Sequence, residues 1–151
     1  MPAFERAIEI NAGREGLFDL SQDYGSRVSW DLFLREARLI GDAVAPNVGV
    51  RAWCVARNGL GMETEYVTFK RPEVTAVKMT RGPVIFNSFA GSWRFEEAGP
   101  ERTRVIFRYN FSVRPRWLSP VLNPFMKALL SRETAKRLEY LRKAIEGQKA
   151  S

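Results

Sequence analysis

The chain contains no histidine. That removes the commonest general base, the commonest neutral metal ligand, and any serine or cysteine nucleophile activated by an imidazole. Zinc, haem and triad chemistries are thereby set aside, and any catalysis would rest on Asp, Glu, Tyr, Arg or ordered water. The single cysteine, Cys54, allows neither an intramolecular disulfide nor a cysteine-built metal site. Within Trp53-Cys54-Val55-Ala56 it reads as a small buried hydrophobe. No metal and no cofactor are expected. Long apolar runs are also missing. Nothing approaches the roughly 18 apolar residues of a membrane span. The opening Met1-Pro2-Ala3-Phe4-Glu5-Arg6 lacks the apolar core of a signal peptide. These absences predict a cytoplasmic protein.

What is present fits one globular domain over residues 1–151, since 151 residues at 45% hydrophobic can bury a sizeable core. The net charge is +7, and most of it is local. Residues 114–149 hold nine bases against Glu133, Glu139 and Glu146, a net of +6. Acids interleave with the bases and no binding motif accompanies them, so no nucleic-acid partner is expected. The simplest reading is a solvated helix face supported by i,i+4 pairs, Glu133 with Arg137 and Glu139 with Lys143. The alternatives are contact with an anionic membrane surface or an acidic carrier protein.

The order of elements is one strand, a helical excursion, about six strands, then one helix. Phe4 to Ile10 alternates imperfectly as a strand. Asn11 is a candidate cap for a short helix over Arg14 to Leu20. Ser21 to Ser29 reads as a polar connection, and Trp30 to Ile40 as a second strand. Further strands are expected at Val50 to Arg57, Glu63 to Lys70, Val74 to Thr80, Val84 to Glu96 and Thr103 to Val113. Hairpin-length turns rich in glycine and proline join them. Strands segregated from helices imply an α+β fold with an antiparallel sheet.

Side-chain parity names the inward face. Val105, Phe107, Tyr109, Phe111 and Val113 share one face of the last strand; Asn87, Phe89, Gly91, Trp93 and Phe95 share one face of its predecessor. Gly91 in mid-strand suggests a bend or bulge. Val67 and Phe69 argue that odd residues point inward, which would carry Glu65 with them. Trp53 and Val55 do the same for Arg51. If both parities hold, Arg51 and Glu65 pair inside a cavity, and a buried acid there is a candidate general acid or base. Otherwise both sit at a rim or across a bulge, in water.

The tail begins at Arg114-Pro115-Arg116-Trp117. Ser119-Pro120 is a capping residue followed by proline at the first helical position, and the helix should reach Glu146, with Gly147 ending it. Pro124 predicts a kink or break. Phe125, Leu129, Thr134, Leu138, Leu141 and Ile145 recur at helical spacing as one apolar face.

This order resembles the helix-grip superfamily of START lipid-transfer domains, the birch-pollen allergen fold and polyketide cyclase/dehydrase-like proteins. The resemblance spans essentially the whole chain. Its carriers are Phe4 to Ile10, Arg14-Glu15-Gly16-Leu17-Phe18-Asp19-Leu20, the turn into Trp30, Gly49, Gly91-Ser92-Trp93-Arg94-Phe95 with Thr103-Arg104-Val105, and the long last helix. It implies a curved antiparallel sheet of six or seven strands around a C-terminal helix. It also implies a cavity between them for lipids, sterols, quinones, polyketides or aromatics. Without histidine, the iron-binding roles of some members do not carry over, and no catalytic motif transfers.

The expected lining is Trp53, Val67, Phe69, Val77, Met79, Phe89, Trp93, Phe107 and Phe111, with Phe125 and Leu129 from the helix and Asn87 and Tyr109 as orienting polar groups. Two functions follow. One is binding or carriage of a hydrophobic small molecule. The other is a cyclase, aromatase or dehydratase drawing on Glu65, Tyr109, Arg51 and Asp23. Convergence of Glu65 and Tyr109 would distinguish them. Trp117, Leu118, Val121, Leu122, Phe125 and Met126, beside Arg114, Arg116 and Lys127, would form a gate or a membrane-touching lip.

Overall fold

Alternation is strongest in the last two strands, and they form the longest ladder of the sheet. In a computed structural model describing residues 3–150, β6 (Phe86–Gly99) and β7 (Arg102–Val113) pair antiparallel, with Trp93 opposite Phe107 and Gly91 opposite Tyr109. The first strand, β1 (Ala3–Ile10), closes onto the far edge of β7. On the other side follow β5 (Val74–Arg81), β4 (Gly61–Lys70), β3 (Arg51–Ala56) and β2 (Leu34–Leu39). The result is a seven-stranded antiparallel sheet in the order β1-β7-β6-β5-β4-β3-β2, curled around a long helix. Phe107, Tyr109, Phe111 and Val113 are all buried, as odd parity in β7 requires.

The helical excursion is longer than the sequence suggested. After α1 (Arg14–Gln22), a second short helix, α2 (Arg27–Trp30), occupies the end of what looked like a polar connection. Trp30 therefore closes a helix rather than opening a strand. Two local interactions make the difference: Arg27 Nε pairs with Asp31 one turn on, and Asp31 Oδ1 accepts the Phe33 backbone N–H at 3.2 Å. Strand β2 starts only at Leu34. The cap of α1 is Gly13 rather than Asn11, and it makes no side-chain cap bond.

The last helix, α3, runs over Ser119–Ala150 without interruption, preceded by a single 3-10 turn at Arg116–Leu118. Pro124 lies in its second turn and removes only the bond to the Pro120 carbonyl, which the helix tolerates so close to its start. Gly147 does not end it. At about 1.5 Å per residue its 32 residues extend roughly 48 Å. It packs against β1 and β7 and touches both short helices. Its buried stripe is Met126, Leu130, Thr134, Arg137, Leu138, Leu141 and Ile145. The front half is thus turned from expectation: Phe125 faces outward at 64% exposure, Leu129 is 42% exposed at the cavity wall, and Met126 and Leu130 take the core. No described helix is long and apolar enough to cross a membrane.

Two β-bulges decide which residues face the concave side. In β4, Tyr66 opposes Val77 and Thr68 opposes Ala76, so Val67 is an extra residue pushed out of the ladder. In β6, Phe86 opposes Val113 and Ser88 opposes Ser112, which ejects Asn87 in the same way. Gly91 is not a bulge, because the ladder runs through it unbroken. Its role is clearance: a Cβ there would lie 3.2 Å from the Tyr109 ring.

Candidate functional site

Between the concave face of the sheet and α3 lies a cavity of about 450 Å³. Its apolar walls come from Phe86, Phe89, Trp93 and Phe107 on β6 and β7, Met62 and Val77 on β4 and β5, and Met126, Leu129 and Leu130 on α3. The aromatic wall is self-supporting. Trp93 and Phe107 meet edge to face at 4.5 Å between centroids, and Phe107 and Tyr109 at 4.6 Å.

The inner end of the cavity is polar and charged. Asp31, just past α2, is fully buried and serves two arginines through one oxygen: its Oδ2 lies 2.9 Å from Arg27 Nε and 3.0 Å from Arg137 Nε. The Arg27 contact is an aligned hydrogen bond. The Arg137 contact is ionic only, and among the described residues Nε of Arg137 has no aligned acceptor. Arg137 Nη1 instead donates to the Tyr109 hydroxyl at 2.8 Å. Both guanidiniums lie over aromatic faces, Arg27 over Trp30 and Trp93, Arg137 over Phe33 and Phe107. Arg27 Nη1 also donates to the Ser21 carbonyl. Burial alone would raise the Asp31 carboxyl, but the charges of Arg137 and Arg27 outweigh it and hold the group below its ordinary range. Burial works against the charge on Arg137, yet the facing Asp31 carboxylate keeps this guanidinium firmly protonated.

Beside the arginines runs a chain of neutral donors. The Tyr66 hydroxyl donates to Gln22 Oε1 at 2.7 Å and lies 2.8 Å from the Tyr24 hydroxyl, which then donates to it. Burial pushes Tyr24 up to about 12 and Tyr66 higher still, so both stay phenols at neutral pH. Cys54 also lines the cavity, its thiol pushed up by burial.

Of the residues singled out from sequence, Val77, Phe89, Trp93, Phe107, Tyr109 and Leu129 line this cavity, and so does Met126, which was expected in a gate. The others lie elsewhere. Trp53 is on the convex face, its ring against Gly61, where a Cβ would come within 2.5 Å of it. Val67 and Asn87 both sit at bulges; Asn87 Nδ2 donates outward to Ser112 Oγ at 3.3 Å. Phe111 is fully buried against Phe86 in the core. Phe69 packs on Phe18 and Tyr66 and borders a separate groove along α1 and β2. Met79 packs against the core beside Gly82. Phe125 points to solvent. Arg51 and Glu65 do form the expected ion pair, at 3.2 Å, but on the convex face with the Arg51 side chain 53% exposed. Asp23 caps its own turn, accepting from the Gly25 N–H and the Ser26 hydroxyl. Glu65 and Tyr109 therefore stand on opposite faces of the sheet. Among the described residues, no group of histidine, cysteine or carboxylate side chains is placed to hold a metal ion.

Arg27 and Asp31, with Tyr24, Tyr66 and Gln22, were not anticipated, and Arg137, expected on the solvated face paired with Glu133, is instead buried against Asp31. One signal was available: Arg137 falls within the apolar stripe of α3, four residues before Leu141 and three after Thr134.

A family model described as polyketide cyclase / dehydrase and lipid transport matches residues 1–146. No curated protein matches at a significant level. Solved structures share the fold at low identity. A Thermus thermophilus protein superposes with a TM-score of 0.81 at 16% identity, covering 97% of this chain and 99% of its own. The Zhui aromatase/cyclase of a Streptomyces species gives 0.79 at 15% identity, covering 96% and 93%. A START superfamily protein of Mycobacterium smegmatis gives 0.72 at 14% identity, covering 97% and 95%.

Proposed function

As the chain belongs to the polyketide cyclase / dehydrase and lipid transport family, we propose that it binds and carries a hydrophobic small molecule in the cavity between sheet and α3. The observation that carries this reading is the cavity itself. Its volume of about 450 Å³ lies within the roughly 300–1,000 Å³ of ligand pockets, and it is aromatic-walled with polar donors gathered at one end. The apolar body of the ligand lies along Phe89, Trp93 and Phe107; an oxygen reaches Tyr109 and Arg137. Carriage is preferred to cyclisation because Glu65, the acid the cyclase reading relied on, is on the opposite face of the sheet from Tyr109.

Exchange takes place at an anionic bilayer. Trp117, Val121 and Phe125 form an i,i+4 stripe at 77%, 70% and 64% exposure, continuous with Leu129 at the cavity wall and flanked by Arg114, Arg116 and Lys127. Such a stripe suits insertion among acyl chains better than the polar surface of a carrier protein.

The direct test is native mass spectrometry of protein purified from its own host, repeated after denaturation. A lipid, quinone or aromatic released intact supports carriage. A chemically altered product turned over from a candidate polyketide supports the cyclase instead. A protein that neither co-purifies with a small molecule nor takes up a hydrophobic probe refutes both.

A further inference from the structure

The charged groups at the inner end of the cavity do not balance. Two guanidiniums, Arg27 and Arg137, meet one carboxylate, Asp31, and all three side chains are at most 8% exposed. One oxygen of Asp31 serves both arginines, and it is aligned as an acceptor only for Arg27. Arg137 is left with an ionic contact and a neutral phenol. The other charged residues around the cavity do not supply the missing anion. Glu133 also lines the cavity, but its carboxylate lies 3.8 Å from Lys136 Nζ and, among the described residues, forms no ion pair with Arg27 or Arg137; Arg57 adds a further positive charge. A buried charge without a full counter-charge is expensive unless something else completes it. The Tyr109 hydroxyl adds to the demand: because it accepts from Arg137, its own proton is directed elsewhere, and among the described residues it has no acceptor.

We propose that the ligand is an amphiphilic monoanion, an apolar body ending in a carboxylate, and that this carboxylate completes the Arg27–Asp31–Arg137 cluster by accepting from Arg137 and Tyr109. The inference rests on the cavity binding proposed above and specifies its ligand class. With the carboxylate in place the buried cluster has two positive and two negative charges. The guanidinium and the phenol supply donors on one side of the anion, and the aromatic wall receives the chain. The surrounding π faces, Phe33 and Phe107 over Arg137, hold the guanidinium edge fixed before the ligand arrives.

The test uses the full chain and the neutral fluorescent probe N-phenyl-1-naphthylamine, displaced at neutral pH by dodecanoate, dodecan-1-ol or dodecanamide. Hydrogen bonds to charged groups predict that dodecanoate binds at least about tenfold tighter than the alcohol or the amide. Arg137→Met should bring the three ligands to within about threefold of one another, since Arg27 and Asp31 then balance one to one. Tyr109→Phe keeps every charge and should weaken dodecanoate severalfold more than it weakens dodecan-1-ol. It supplies the test if the Arg137 variant does not fold. Equal binding of the acid and the alcohol by the native chain overturns this inference and leaves the cavity reading standing. Failure of the probe and all three ligands to bind overturns both.

Discussion

Asparagine in place of Asp31 tests the buried cluster directly. The substitution is nearly isosteric, but it removes the negative charge from between two guanidiniums that approach the same oxygen at 2.9 and 3.0 Å. Removing one partner of a buried ion pair typically costs about 3–5 kcal/mol, because the remaining charge is left uncompensated. For a chain of this length each kcal/mol lowers the melting temperature by roughly 2–4 °C, so Asp31→Asn should melt about 6–20 °C lower. Urea unfolding should show a lower midpoint with an unchanged slope. Adding Arg137→Met to the Asp31→Asn chain should recover part of the loss, with a coupling of about 1 kcal/mol or more. The pH dependence has a definite sign. Asp31 titrates below its ordinary value in the folded chain, so its contribution is complete above the unfolded value near 3.8 and is lost as pH falls through the folded one. The stability curves of native and Asp31→Asn protein should therefore lie apart at neutral pH and converge at the acid end. A loss under about 1 kcal/mol, or a gap that persists in strong acid, would refute the claim that this carboxylate holds the cluster together.

Glu65→Gln should change stability by no more than about 1 kcal/mol, as for an exposed ion pair, and leave probe binding unaltered; a large loss of binding would place Glu65 in the site after all. Gly91→Ala puts a methyl group 3.2 Å from the Tyr109 ring, so a loss of about 1–3 kcal/mol in urea unfolding and weaker probe binding are expected, whereas an unchanged protein would mean the ring yields freely. Trp117→Glu with Phe125→Glu should abolish co-flotation with phosphatidylserine-containing vesicles while stability stays within about 0.5 kcal/mol for each exposed site. Equal flotation of native and variant chains, or of neither, would remove the bilayer from the proposal.

The strands that could be read residue by residue are those whose ladders run without interruption. Val105 to Val113 alternate in an unbroken register with Phe95 to Phe86 as far as the bulge, and period two then identifies the core face. One inserted residue defeats that logic, because everything on one side of it changes face. Val67 and Asn87 were placed inward for this reason, each taken as part of a run that a bulge divides. The same error brought Glu65 inside: Phe69, beyond the bulge, faces in, while Glu65, before it, faces out. The pairing of Arg51 with Glu65 was legible, since opposite charges on neighbouring strands suggest it, but its face was not. On α3 the apolar residues come as adjacent pairs, Phe125-Met126 and Leu129-Leu130, so helical spacing admits either member to the core and only packing against β1 and β7 selects one. Arg27 and Asp31 stood at i,i+4 in plain view, but Arg27 lay in a stretch whose polar composition argued for a loop and Asp31 in the strand expected over Trp30 to Ile40.

The buried cluster also explains how a cavity survives inside a protein that could collapse around it. Apolar side chains at 27, 31 and 137 would pack at least as favourably as a buried ion triad and would have no reason to leave space. Charged groups behave differently. Arg27 needs Asp31 and the Ser21 carbonyl, Arg137 needs Tyr109, and each guanidinium plane needs its aromatic face. These directional demands tie α2 to α3 and α3 to β7 at set distances. With the helix held off the sheet by contacts that cannot slide, the volume between Trp93, Phe107 and Leu130 stays open, and the donors at its end are already in position. A ligand entering such a site orders little that is not already ordered, which is where preorganised binding sites gain affinity. On this argument the cluster that makes the fold costly to build is the same one that selects what the cavity holds.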